Sequence, residues 1–177
     1  MTLVGLAGDD LYIVHNSDVV VTEAPGGGVD AIMTQKSYTL PANVENLIVP
    51  EHAAGITVHG NDLNNYISVS SVSVVVYDGG GLDTIVPGNG TRIVLQPNDN
   101  ALDVITKTAK LDLSLFGTEQ TCSFAGGVLT VNSEPVAKIT APLLSTATSQ
   151  TGAVCQLWRR RQNPELEQRA STFGKRE

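Results

Sequence analysis

The sequence predicts an all-β fold: a parallel β-roll or β-solenoid of short strands, with a C-terminal β-strand cap and a weakly structured tail. Three observations predict it. Short β-branched runs alternate with Gly, Asn and Asp clusters, the pattern of strands separated by turns. No stretch from Leu3 to Val94 sustains apolar residues at helical spacing. Three turns look alike, GLAGDDLYI (5–13), GGGVDAI (26–32) and GGGLDTI (79–85), and internal repetition of this kind marks a solenoid or roll.

The elements are expected in this order. Strands are read at LYIV (11–14), DVVVT (18–22), DAIMT (30–34), NLIV (46–49), GITV (55–58), VSVVVY (72–77), DTIV (83–86) and TRIVL (91–95). Each is short, β-branched and bounded by turn residues. From Asp103 to Thr140 two or three further strands follow, with AGG (125–127) as a hairpin turn. The expected organisation is a roll over 1–100, a β end-piece over 101–141 and a flexible or partly helical basic tail over 142–177.

Composition narrows the function. The chain has 177 residues and a net charge of −7, a length that suits one domain or two small ones. The charge is uneven. From Trp158 onward six basic residues face three acidic ones, so the tail carries +3 and the remainder −10. An acidic body repels phosphates and attracts cations, so nucleic acid is not an expected partner. No apolar run approaches the ~20 residues of a membrane span. Met1 leads directly into TLVGLAGDD, with no basic segment or long apolar run, so export is expected by a route independent of a signal peptide. No P-loop, G-x-S-x-G or H-E-x-x-H occurs, and no catalytic residues are assigned. Cys122 and Cys155 are read as a pair after export or as small buried apolar residues. His15, His52 and His59 are expected on the surface. Tyr12, Tyr38, Tyr66 and Tyr77 are expected in the core, with a sugar-stacking face as the alternative.

The glycine-aspartate turns carry the chemistry. Glycines permit tight turns that aim backbone carbonyls inward. A following carboxylate adds negative charge, and calcium takes about 6–8 such oxygen ligands. The candidate ligating residues are Gly5, Gly8, Asp9 and Asp10 in the first turn, Gly26, Gly28 and Asp30 in the second, and Asp78, Gly79, Gly81 and Asp83 in the third. None matches the glycine-rich nonapeptide G-G-x-G-x-D-x-U-x in full. Leu6 stands for its second glycine, and the later two turns are one residue short.

A longer pattern links these turns. YIVHNSDVVVTEAPGGGVDAIMTQKSYTLPANVENLIV (12–49) resembles a recurrent segment of bacterial repeats-in-toxin (RTX) calcium-binding proteins, with Ser37, Tyr38, Leu40, Asn43, Val44, Glu45, Asn46 and Leu47 as its last portion. GNDLNNYISVSS (60–71) and YDGGGLDTIV (77–86) resemble the pieces that follow, and LDVITKTAKLDLSLFG (102–117) resembles, more loosely, the segment that closes such modules. His15 stands where an Asp is usual, VSSVSVV (69–75) lacks a glycine turn, and the tail is basic. These departures imply fewer calcium sites than a complete array holds.

The resemblance implies Ca2+ as cofactor, a hemolysin-type secreted protein exported by type I secretion, and calcium-promoted folding. The expected function is that of a calcium-binding structural module without catalysis. The alternatives are a module that binds an extracellular polysaccharide or surface partner, a non-catalytic part of a secreted enzyme, and a degenerate roll that folds without metal. Asn43, Glu45 and Asn46 are read as side chains that hydrogen-bond the turns.

Overall fold

A computed structural model describes residues 1–97, 102–107, 109–116 and 122–140, and the backbone of 147–148 and 154–155. The described chain is all-β apart from a 3₁₀ turn at Ser114–Phe116. The chain winds as a β-solenoid of about six turns, each turn giving one strand to each of two faces. The first sheet stacks β2 (Leu11–Val14), β4 (Ala31–Thr34), β6 (Asn46–Val49), β8 (Tyr66–Val69), β10 (Thr84–Val86) and β12 (Asp103–Ile105), all parallel. The second face comprises β1 (Thr2–Val4) paired with β3 (Val20–Thr22), then a separate ladder of β5 (Tyr38–Thr39), β7 (Thr57–His59), β9 (Val75–Tyr77), β11 (Arg92–Val94) and β13 (Lys110–Asp112).

Register explains why such short strands hold. Successive side chains of a strand point to opposite faces, so each strand needs one or two apolar residues at the inward positions. In the first sheet the aligned inward column is Tyr12, Ile32, Leu47, Ile67, Ile85 and Ile105. In the second it is Tyr38, Val58, Val76, Ile93 and Leu111. All of these are buried. Fully burying one such aliphatic side chain contributes about 1.5–3 kcal/mol, and each coil stacks its contribution on its neighbours.

Every strand expected between 11 and 95 is present. Three more appear that the sequence reading did not list: β1, β5 and β8. The parallel ladders run past residue 100, since β12 and β13 are their last regular rungs. Then β16 (Glu134–Ile139) joins β12 in parallel, while β15 (Val128–Val131) and β14 (Cys122–Ala125) add antiparallel strands. The β14–β15 hairpin turns at Gly126–Gly127, both with positive φ. Cys122 is disulfide-bonded. An Arg92–Asp112 ion pair at 2.8 Å ties β11 to β13. Of the tail, only the antiparallel pairing of β17 (Ala147–Thr148) with β18 (Val154–Cys155) is described. No helix among the described residues is long and apolar enough to cross a membrane.

Candidate metal centre

The corners that lead into the first sheet form one edge of the roll, and its acidic residues gather there. The residue just before each of the first five strands of that sheet is Asp10, Asp30, Glu45, Asn65 and Asp83 in successive coils, and Asp103 opens the sixth. The backbone stacks them. Ala31 N donates to Asp10 O, Asn46 N to Asp30 O, Tyr66 N to Glu45 O, Thr84 N to Asn65 O and Val104 N to Asp83 O, at 2.7–3.0 Å. A side-chain ladder runs in the reverse direction. The amide N–H of Asp10 donates to Asp30 Oδ1 (2.8 Å), that of Asp30 to Glu45 Oε2 (2.8 Å), that of Asn65 to Asp83 Oδ1 (2.7 Å), and that of Asp83 to Asp103 Oδ1 (2.9 Å). Each acid thus ends the strand ladder by capping the backbone of the coil before it.

At the N-terminal end this column meets a carboxylate from the other side of the corner. Glu23 follows β3 directly and is buried. Its Oε1 accepts the Tyr12 hydroxyl proton. Burial and the Glu23 carboxylate push the Tyr12 phenol above its ordinary range, so it stays a donor. Asp10, Glu23 and Asp30 each offer an oxygen, and the three oxygens lie within 4.8 Å of one another. Oxygens placed 2.3–2.6 Å from a shared calcium ion are at most about 5 Å apart, so the spacing fits. Among the described residues this is the group of three with that spacing.

Two features point to a cation here. Glu23 Oε2 and Asp30 Oδ2 are buried and accept no hydrogen bond, and an uncompensated buried carboxylate is costly. The donor set is all oxygen, which suits Ca2+ or Mg2+ over zinc or copper. Gly5 makes room for the cluster: a Cβ there would overlap the Glu23 carboxylate and the Tyr12 hydroxyl.

A second acidic corner lies further along the same edge. Asp78, Asp83 and Asp103 are all buried. Burial, with the Asp103 and Asp83 carboxylates beside it, pushes the Asp78 carboxyl above its ordinary range. Its Oδ1 accepts the Gly79 amide at 3.0 Å. Gly79 and Gly81 have φ of +97° and +96°, and each packs against the preceding coil so closely that a Cβ would strike backbone of Asn61 or Leu63.

The structure therefore divides the eleven sequence candidates. Asp10 and Asp30 meet, with Gly5 beside them. Asp9 does not join them; its Oδ1 accepts the Val29 amide at 2.8 Å on the surface. Gly8 and Gly26 give the first two corners positive φ, and Gly28 packs against the Gly8 carbonyl. Asp78, Gly79, Gly81 and Asp83 form the second corner. Two acids escaped the sequence reading, Glu23 and Asp103. Their signal was present: Glu23 opens its glycine turn as Asp78 opens the next, and Asp103 follows Asp83 by one coil of 20 residues.

Between the two acidic corners sits an amide one. Asn65 Nδ2 donates to Glu45 O (3.2 Å) and Asn61 Oδ1 (3.0 Å), and its Oδ1 accepts the Asn61 amide (2.9 Å). Asn61 Nδ2 reaches Pro41 O and Val44 O. Asn43, with φ of +63°, and Asn46 likewise hydrogen-bond the turns, donating to Glu23 O and Asp30 O.

The aromatic residues divide as well. Tyr12 and Tyr38 are core, but Tyr66 faces outward at 45% exposure. This corrects the expectation of four core tyrosines: in β8 the inward position falls to Ile67. Tyr77 is only half-buried and stacks on His59, rings 4.4 Å apart and 8° from parallel.

No family model matches the chain. Over 71 residues it is 45% identical to the endo-1,3-1,4-beta-glycanase ExsH of Rhizobium meliloti (strain 1021), covering 40% of this chain and 15% of that protein. Over 70 residues it is 41% identical to the endo-1,3-1,4-beta-glycanase EglC of the same organism, covering 38% of this chain and 14% of that protein. The similarity thus spans a small part of each relative's length.

Proposed function

We propose that the chain is a calcium-stabilised β-roll module of RTX type, part of an exported bacterial protein, without catalytic residues of its own. The observation that carries the reading is the trio Asp10, Glu23 and Asp30, the last two buried, with two carboxylate oxygens that accept no hydrogen bond. Without a cation these charges repel one another and oppose stacking of the first two coils. A divalent ion that binds only the stacked form stabilises it by mass action. Low calcium then keeps the N-terminal coils loose, and high calcium closes them. Circular dichroism of the full chain in chelator and in millimolar calcium tests this. The expected result is a gain of β signal or thermal stability with calcium; identical spectra and melting in both conditions count against it.

A second reading is favoured by one observation, the similarity to two glycanases. It holds that the module binds polysaccharide. Retention of the chain on an insoluble glucan, measured with and without calcium, separates a binding role from a purely structural one.

A further inference from the structure

The second face of the roll is not continuous. β1 and β3 form one short ladder and β5 starts another, so β3 and β5 do not pair. The Tyr38 side chain spans the break, donating its hydroxyl proton to Val19 O at 2.8 Å. One phenol thus replaces a strand ladder and holds the two coils together while leaving space beside it. The result is a cleft of about 460 Å3.

The lining is specific in composition. Four hydroxyl side chains, Ser17, Ser37, Thr39 and Thr57, share it with an apolar wall that includes Val20. His59 also lines it, and Tyr77 is stacked against one face of its imidazole, while Thr39 is its register partner on the other side. No Asp, Glu, Lys or Arg lines the space. Burial holds the His59 imidazole below its ordinary range, so the lining is uncharged at neutral pH.

We infer that this cleft binds a neutral oligosaccharide, with one sugar ring packed against the His59 side of the lining and its hydroxyls met by the Ser and Thr side chains. This rests on the polysaccharide reading above and gives it a place. The size falls in the range of about 300–1,000 Å3 typical of small-ligand sites. Sugar rings have an apolar face and a hydroxyl rim, and the cleft offers a stacked ring and hydroxyl donors in the same space. An acidic polymer finds no cation to pair with.

The test uses soluble mixed-linkage β-glucan oligosaccharides as probe, the full chain in millimolar calcium, and calorimetry or NMR titration. Polygalacturonate serves as the acidic comparison. Two variants address the cleft: His59→Ala removes the stacking face, and Val20→Trp fills the mouth from a position that is already 55% exposed. Tyr66→Ala, an exposed aromatic on the opposite sheet, is the control. Circular dichroism checks the fold of each. Binding weakened roughly tenfold or more by either cleft variant, with Tyr66→Ala unchanged, supports the site. Glucan binding that survives both cleft variants overturns the site but leaves the polysaccharide reading standing. Absence of glucan binding overturns both. Equal binding of polygalacturonate overturns the neutral class.

Discussion

Two corners of one edge solve the same problem differently. The corner at Asn61–Asn65 closes itself, because an amide carries both a donor and an acceptor. Asn65 accepts one backbone N–H and donates to a neighbouring carbonyl and amide. The corner at Asp10, Glu23 and Asp30 cannot do this, because ionised carboxylates only accept. Asp30 Oδ1 accepts the Asp10 amide and Glu23 Oε1 the Tyr12 hydroxyl, and Glu23 Oε2 and Asp30 Oδ2 are left over. The fold is common to both corners, while buried carboxylate oxygens left without a hydrogen bond belong to the acidic one.

Breaking the self-closing corner has the largest expected effect. Asn65→Leu leaves the Asn61 amide and the Glu45 carbonyl without their side-chain partner. The expected loss is about 2–4 kcal/mol, equal in calcium and in chelator, measured by urea unfolding. Converting the acidic corner into an amide one sharpens the comparison. Asp30→Asn keeps an Oδ1 acceptor for Asp10 N but removes the charge. At calcium 100-fold above its Kd the wild type gains about 2.7 kcal/mol; the variant is expected to gain nothing, and its stability in chelator changes by less than about 1 kcal/mol. Thermal melts with and without calcium read this difference.

Gly5→Ala tests the space that the acidic corner needs. A Cβ there meets Glu23 and Tyr12, and overpacking of this kind costs about 1–3 kcal/mol, with weakened calcium response in the same melts. The smallest effect concerns His59, away from this edge. Burial lowers its folded pKa below 6.5, so the unfolded chain takes up a proton first as pH falls. The contribution of neutral His59 is present above about pH 6.5 and is lost as pH falls through the folded value. His59→Gln is expected to flatten the stability profile below pH 6.5, read by melts between pH 5 and 7.

Much of the fold was legible in the sequence because register and turn chemistry are local. Burial alternates along LYIV, AIMT and NLIV with the period of a strand, and glycines beside Asp mark the corners. The stretch 66–77 was harder. YISVSSVSVVVY is almost uninterrupted in β-forming residues, so β9 is expected at 72–77 while β8 before it goes unseen. The corner between them is made by Ser71, whose buried Oγ accepts the Ala53 amide, and a serine gives no turn signal of its own. β5 is two residues long and carries too little pattern to be seen.

The candidate site was half legible. Asp10 and Asp30 announce themselves beside glycines, but Glu23 lies across the corner, and only the stacking of β2 on β4 brings it into reach. Its likeness to Asp78, each an acid opening a three-glycine turn, becomes readable once the coil length is known. The outward tyrosine at 66 was missed because a strand's alternation gives two faces without saying which is inside.

The most direct test of the central claim is calorimetric titration of the chain with calcium, alongside Glu23→Gln. The account predicts heat of binding at the N-terminal corner in the wild type and its loss in the variant. Titration without heat in the wild type, or binding that Glu23→Gln leaves unchanged, would contradict it.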